Sequence, residues 1–537
     1  MTARVLIGIL FAAGVFFRLY GLESYPLPVQ QDELSNIYDG YSLLETGADR
    51  AGSRFPVVVR GFGENDFRPA LMVYLTAIPV SVAGFSVGAG RTAAGVLSCL
   101  SLLFLFLLAR GVAGVRFATV ALAFAALSPW LILDGRIAHE GASLAPFFVI
   151  LPLWVWHRAA AKNYPPLRTA LVGLALGFSA NAYQANKLIG PLVLVVVAID
   201  LLRIRRRPDR SLAGLLGAAI LGAAPQIWVM LTAPEQFFGR ATEVFSRELT
   251  TGNPAFTLVR SIAANFEPRY LFWPDLSEVF LTSLRLLPIE ALFLPAGVLM
   301  LWRLDGWKIP RFRLFLYIVL LIAVLPAAIT FPNPHSLRAA SSALLFPLFS
   351  AAGVIAIYDR LSRRPSLARA FGVLAGLGIA ASFGFDAYMY VFSPTAKDFR
   401  MQNALVQTAQ KVTPHLGTHD RVFIADEDVS MPYLYYVAFT GMTPREYQSV
   451  PKEFGSAKGW DVARRVGHFY FRSDEELVAQ VGSASPTDLF VTRQPLAGSR
   501  QLDRVHWHWD HYYIADYPAG SGNSLPATES ARADALP

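Results

Sequence analysis

The sequence predicts a polytopic α-helical membrane protein carrying a small α/β domain at its C-terminal end. Composition is the first reason: of 537 residues, 54% are hydrophobic and only 16% charged, against about 25% charged in an ordinary soluble domain, and the mean hydropathy is +0.41. The second is spacing, since apolar runs close to the roughly 20 residues that cross a hydrocarbon core recur from the start of the chain to residue 392. The third is a change of character after residue 393, where apolar runs shorten to strand length. The net charge of +8 does not mark a nucleic-acid binder, because Lys and Arg collect in short loops between apolar runs, where they set membrane orientation.

The opening "MTARVLIGILFAAGVFFRLYGL" has a basic start and an apolar core without a small-x-small cleavage site, so it reads as an uncleaved first span, 4 to 21, with Arg18 as a snorkelling anchor. Further spans are predicted at 91 to 110, 116 to 133, 141 to 157, 168 to 185, 188 to 203, 211 to 232, 280 to 302, 313 to 331, 339 to 358 and 367 to 392, about eleven in all. Another candidate, 69 to 86, decides the topology. If it crosses, "RIRRRPDR" (203 to 210), "RLDGWKIPRFR" (303 to 313), "DRLSRRPSLAR" (359 to 369) and the loops of Arg110, Arg116, Arg158, Lys162 and Arg168 are all translocated, against the positive-inside tendency. The expectation is therefore a juxtamembrane or re-entrant helix, broken by Pro69 and Pro79. The N-terminus then lies in the cytoplasm of a bacterial inner membrane. Cys99, the only cysteine, sits in an apolar run and excludes an intrachain disulfide and a cysteine zinc site.

On this topology the extracytoplasmic face carries a first loop (22 to 90, with juxtamembrane helices), "DGRIAHEG" (134 to 141), "YQANK" (183 to 187), a second large loop (233 to 279), "NPHSLR" (333 to 338) and everything after the membrane domain, 1 to 392. In the α/β domain, 393 to 518, "RVFIAD" (421 to 426), "DLFVTR" (488 to 493) and "YYIADY" (512 to 517) read as strands, and "DFRMQNALVQTAQKV" and "DVARRV" as helices. Residues 519 to 537 have the composition of a disordered tail. In "HWHWDHYY", a single strand would put His506, His508 and Asp510 on one face; the interleaved Trp507, Trp509, Tyr512 and Tyr513 favour an aromatic interface over a metal site. No repeat period, P-loop, dinucleotide fingerprint or nucleophile elbow appears.

The chemistry collects on the outer face. Asp32 and Glu33 open an amphipathic stretch, "DELSNIYDGYSLLETG", where the helix macrodipole by itself favours acids. At a bilayer rim a carboxylate is also placed to act as a general base in a low-dielectric wall. Glu140 lies on the same face beside Arg136 and His139, and so do Arg68, Lys187, His335 and Arg338. Each cation alone reads as an interfacial anchor. Several together beside acids call for an anionic partner, and a phosphate at headgroup depth serves. Glu290 and Asp386, inside predicted spans, are expected to face the protein interior or water.

"DELSNIYDGYSLLETGADRAGSRFPV" followed by "GENDFRPALMVYLTAIPVSVAGFSVGAGRTAAGVLS" resembles the first outer loop of the GT-C class of polyprenyl-phosphate-sugar glycosyltransferases, in the branch of protein O-mannosyltransferases and lipid A aminoarabinose transferases. "SPWLILDGRIAHE", "NAYQANKLIGP" and "NPHSLRAASSALLFP" resemble further segments of that branch, in order over residues 1 to 360; Arg68-Pro69-Ala70 stands where the branch has Lys-Pro-Pro. The resemblance implies a GT-C fold and transfer of a sugar, with inversion, from a polyprenyl-phosphate donor to a lipid, glycan or protein acceptor. It implies Asp32 as catalytic base, Glu33 orienting the acceptor or supporting Asp32, and Glu140 orienting substrate or, with Asp32, holding a divalent metal such as Mg or Mn. Arg68, Arg136, Lys187, His335 and Arg338 are its candidates for the donor phosphate, and Tyr183, Gln184, His139 and Glu290 for the substrate pocket. The other partners expected are membrane lipids, and nucleic acid is not among them. A secondary transporter or flippase of lipid-linked glycans is the alternative that the many spans suit; a non-catalytic assembly or sensor protein is a third and would not need Asp32.

Overall fold

The computed structural model describes residues 3–26, 29–273, 284–304, 308–392, 402–426, 432–457, 459–481, 483–507 and 510–517. The chain divides into one unit of Met1–Gly61 with Asn65–Lys397 and another of Phe62–Glu64 with Asp398–Pro537.

The apolar runs fold as helices over most of their described length, but residues 284–289, inside the predicted span 280 to 302, are not helical and the helix there begins only at Glu290. α1 (Ala3–Leu19), α2 (Gln31–Thr46) and α3 (Leu71–Ala83) precede α4 (Val87–Leu127), which holds two of the predicted spans and leaves helical geometry only at Ala113 and Gly114. α5 (Pro129–Asp134) leads to a π-helical turn, Glu140–Leu144, continuous with α6 (Ala145–Ala160). α7 (Pro166–Phe178), α8 (Asn186–Arg205), α9 (Arg210–Thr232), α10 (Pro234–Val244), α11 (Pro254–Ala264), α12 (Pro268–Phe272), α13 (Glu290–Met300), α14 (Phe312–Ala328), α15 (Ser336–Ala343), α16 (Phe346–Leu361) and α17 (Pro365–Phe392) complete this unit. Among the described residues four helices are long and apolar enough to cross a membrane alone: Val87–Leu127, Glu140–Ala160, Arg210–Thr232 and Pro365–Met389; the pair α15 and α16, bent by 44°, can make a fifth. α3 and α14 are apolar but shorter.

Helix packing here relies on small residues. A Cβ at Gly173 or Gly177 of α7 would stand 2.0 Å from Leu215 O and 1.9 Å from Ala219 O of α9, so these glycines allow the two backbones to touch where apolar burial supplies no drive between helices in lipid. Arg18 is not a snorkelling anchor. It is fully buried, donating from Nε to Ser98 Oγ (2.8 Å) and from its Nη atoms to the carbonyls of Gly14, Ala125 and Ala126. It therefore ties α1 to α4. Pro79 does not break the 69 to 86 segment either, because α3 runs through it; Pro69 instead ends a strand. That strand, β2 (Phe67–Pro69), pairs antiparallel with β1 (Val58–Arg60), an arrangement the sequence reading did not foresee.

The second unit is a seven-stranded mixed sheet built from β3 (Arg421–Ala425), β4 (Lys452–Ala457), β5 (Trp460–Val466), β6 (Phe469–Arg472), β7 (Asp488–Thr492), β8 (Arg500–Trp507) and β9 (Asp510–Asp516), in the order β4-β5-β6-β3-β7-β9-β8. β3 lies parallel to β6 and β7, and the other pairs are antiparallel. The interior strand β7 is buried throughout, which explains why "DLFVTR" reads as a continuous apolar run. α18 (Gln402–Val412) forms as expected, but "DVARRV" is β5, not a helix. Gly459 (φ 84°) and Gly467 (φ 59°) set turns at both its ends, and its β-branched valines suit the ladder between β4 and β6. "HWHWDHYY" is not one strand: β8 ends at Trp507 and β9 begins at its partner Asp510, so His506 and Asp510 belong to different strands. His508, Trp509 and the predicted tail lie outside the described residues.

Candidate active site at the start of the second helix

The site begins with a cap. Gln30 Oε1 accepts the backbone N–H of Asp32 (2.6 Å) and of Glu33 (3.2 Å), fixing the first turn of α2. Successive helical residues then point about 100° apart, and the two acids part company. Glu33 is fully buried, receiving Arg91 Nε (2.7 Å) and Nη2 (2.8 Å) on its two oxygens and the Ala138 N–H (2.9 Å). It joins α2 to α4 and to the 134 to 141 segment, with no oxygen left for an acceptor. Asp32 keeps its side chain 24% exposed, with Oδ1 3.5 Å from Arg68 Nη1 and Oδ2 3.7 Å from His139 Nε2.

Around Asp32 stands a buried polar shell. Arg68, on β2, donates from Nη2 to Ser35 Oγ (2.7 Å) and places Nη1 3.9 Å from Glu140 Oε1. Glu140 is fully buried at the π-helical turn and accepts Asn36 Nδ2 at 2.9 Å, while Asn36 also donates to Ala138 O at 3.0 Å. Arg68 Nη1 and Nε and Glu140 Oε1 are buried without a hydrogen-bond partner. His139 accepts the Gly141 N–H at Nδ1 (2.9 Å). A neutral ring in that arrangement carries its proton on Nε2, facing Asp32.

Electrostatics keep Asp32 ionised. Burial pushes its pKa up, but the Arg68 guanidinium and His139 outweigh burial and hold it well below the usual carboxylate range. Burial lowers the His139 pKa, and Glu140 and Asp32 more than reverse this, so it lies above its ordinary value. Burial, joined by the charges of Arg338 and His139, pushes His335 down to about 3. At neutral pH it is an uncharged imidazole and no cation for a phosphate, which corrects that expectation. Burial alone lowers Lys187 to about 7.

The remaining predicted residues separate. Tyr183 lies with its ring 6.1 Å from that of His139. Gln184 donates to Phe67 O, beside Arg68. Lys187 Nζ sits 4.0 Å over the Phe237 ring and 3.3 Å from Phe237 O. Arg338 donates to Thr330 Oγ1 (3.1 Å) and Phe331 O (2.8 Å), on the same chain segment as His335. Arg136 departs from its expected role: its guanidinium donates to the carbonyls of Phe17, Tyr20, Gly21 and Tyr25. It closes the C-terminal end of α1, where free carbonyls and the macrodipole favour a cation. Glu290 also turns elsewhere, accepting Ser350 Oγ (2.6 Å) and the Leu287 N–H (3.1 Å), so it ties α13 to α16 instead of lining this pocket.

The sequence reading missed Ser35, Asn36 and Arg240. The first two follow Asp32 by three and four residues and share its helix face, a signal that was available. Arg240, on α10, has Nε 3.6 Å from Asp66 and lends its charge to Asp32, Tyr183 and His335; nothing local in its sequence announces it. A divalent ion between Asp32 and Glu140 does not fit, because Arg68 Nη1 already stands between the two carboxylates and Gly141 occupies His139 Nδ1. Among the described residues no group of three or more His, Cys, Asp or Glu side chains is arranged to hold a metal ion.

No protein-family model and no curated protein matches the sequence. Solved structures do. ArnT from Cupriavidus metallidurans bound to undecaprenyl phosphate is 13% identical, with 98% of this chain and 100% of that chain covered and a TM-score of 0.59. The same protein in the apo state gives 13% identity, the same coverage and a TM-score of 0.55. The archaeal oligosaccharyltransferase AglB from Archaeoglobus fulgidus, in complex with an inhibitory peptide and a dolichol-phosphate, is 12% identical over 82% of this chain and 63% of that one, with a TM-score of 0.45. At these identities the likeness is one of fold, and the fold is GT-C, as the resemblance in the sequence implied.

Proposed function

We propose that the protein is an integral-membrane glycosyltransferase that moves a sugar from a polyprenyl-phosphate donor to a lipid, glycan or protein acceptor on the extracytoplasmic face, with inversion. The observation that carries this reading is the contrast between adjacent acids: Glu33 is fully engaged, whereas Asp32 is ionised, partly exposed and held by Arg68 and His139. The ArnT structure of the same fold holds undecaprenyl phosphate, a donor-type lipid phosphate. In the proposed reaction the acceptor hydroxyl gives its proton to the free edge of Asp32 as its oxygen attacks the anomeric carbon. The bond from that carbon to the phosphate oxygen breaks, and the electron pair leaves with the lipid phosphate. Lys187, Arg68, Arg240 and Arg338 supply the positive charge that favours its departure. His335 acts as a neutral hydrogen-bonding group at the same rim.

The topology also supports the outer face. Arg91, bonded to Glu33, and Arg110 lie on one uninterrupted helical stretch of α4, and 19 residues at about 1.5 Å each put them about 28 Å apart, the thickness of a hydrocarbon core. The carboxylates thus stand at one end of the helices and the basic loops at the other. The test is a reconstituted transfer assay with a radiolabelled polyprenyl-phosphate sugar. Asp32→Asn is expected to lose at least about 100-fold in kcat while remaining folded; unchanged transfer in the folded variant refutes the assignment.

A further inference from the structure

Just before the break in α4 at Ala113 and Gly114, beside the C-terminal end of α6, lies a cavity of about 500 Å³ whose lining includes Arg110, His157, Arg158, Lys162, Arg168 and Lys308. Positive charge at this end follows from membrane orientation alone. Orientation does not explain a concavity that gathers five cations without a carboxylate among its described lining residues. Nor does it explain His157, which is 3% exposed and lines the cavity with neither Nδ1 nor Nε2 hydrogen-bonded. Its ring is held against the backbone of Gly111, where a Cβ would come within 2.8 Å of Cε1, so its position is fixed by packing.

We infer that this cavity is a binding site for a phosphate-bearing anion, with Arg158, Lys162, Arg168, Arg110 and Lys308 neutralising the phosphate. The volume lies in the range of small-molecule sites and exceeds what a bare phosphate fills. Leu107 and Trp154 give the wall an apolar strip, and the Arg158 guanidinium lies 5.7 Å over the Trp154 ring. Such a lining suits the phosphodiester of an anionic phospholipid, with its glycerol against the tryptophan; a soluble phosphorylated compound shares the same chemistry. The inference concerns an end of the helices about a membrane's thickness from Asp32 and stands apart from the transferase reading.

The test uses full-length protein in neutral detergent, following the unfolding midpoint as phosphatidylglycerol, phosphatidylcholine or inorganic phosphate is added. Phosphatidylglycerol is expected to raise the midpoint saturably, by about 2 °C at 100-fold its Kd, and the Arg158→Gln, Lys162→Gln double variant to weaken that binding at least tenfold. Lys308→Gln, a single exposed change, serves should the double variant fail to fold. A shift with phosphatidylglycerol alone identifies a lipid headgroup; a shift with inorganic phosphate identifies a soluble anion as the source. Equal shifts with phosphatidylcholine and phosphatidylglycerol and none with phosphate, or affinities unchanged in both variants, overturn the inference.

Discussion

Glu33 and Arg91 face each other through two N–H···O bonds, of 2.7 and 2.8 Å, with both side chains cut off from solvent. The pair locks the start of α2 against α4 and holds the neighbouring Asp32 at a fixed edge. Removing one partner of a buried pair strands the other's charge, at a cost of about 3–5 kcal/mol. Glu33→Gln should therefore lower the denaturation midpoint strongly, yet change kcat less than about tenfold below that midpoint. A folded, stable Glu33→Gln protein without transfer would show instead that Glu33 acts on substrate.

Arg68 decides the ionisation of Asp32. In the wild type the Asp32 pKa is depressed, so the stability gained from its ion pairs is present above the ordinary carboxylate pKa and lost only as pH falls below that range. Arg68→Ala removes the largest influence opposing burial, and the Asp32 pKa must rise. An acidic limb should then appear in the pH profile of kcat/KM, activity falling as pH drops, where the wild type stays flat above about pH 5. A profile without such a limb would sever the link between the two residues.

Lys187, just ahead of the predicted span 188 to 203, has its pKa lowered to about 7 by burial. Its charge is present below that value and lost as pH rises through it. The KM for a polyprenyl-phosphate donor should consequently rise above pH 7 and kcat fall, since Lys187 meets the phosphate both in the bound donor and as it leaves. Lys187→Arg, which stays protonated, should flatten the dependence; an identical rise in that variant would exclude Lys187 as its source.

Because the Arg68 guanidinium stands between Asp32 and Glu140, transfer should survive exhaustive chelation. Treatment with EDTA is expected to leave more than about half the initial rate, since the guanidinium already supplies the positive charge between the acids. Loss of activity restored by Mg or Mn alone would require Arg68 to move aside.

The site was legible in part. The structure brings Asp32, Glu140, Arg68 and His139 together, and Ser35 and Asn36 were readable by helical spacing. Arg136, Glu290 and Glu33 could not be sorted from the working residues, because a charge spent on carbonyls or on a buried partner looks the same in a sequence as one facing a pocket. "DVARRV" misled for a related reason: six residues with two valines fit either period, and only the neighbouring strands β4 and β6 decide.

What the sequence determined by itself is therefore the local and additive part: where helices lie, that the chain suits a membrane, that acids start α2, and that 421 to 426 and 488 to 493 are strands. These depend on periodicity and composition within a few turns of chain. Tertiary structure alone decided which of two adjacent acids keeps an open edge, that Arg91 pairs with the buried one while Arg136 closes the end of α1, and that Arg240 arrives from a distant helix. A charge acquires its role from the groups within a few ångströms of it, and those groups come from parts of the chain tens to hundreds of residues away.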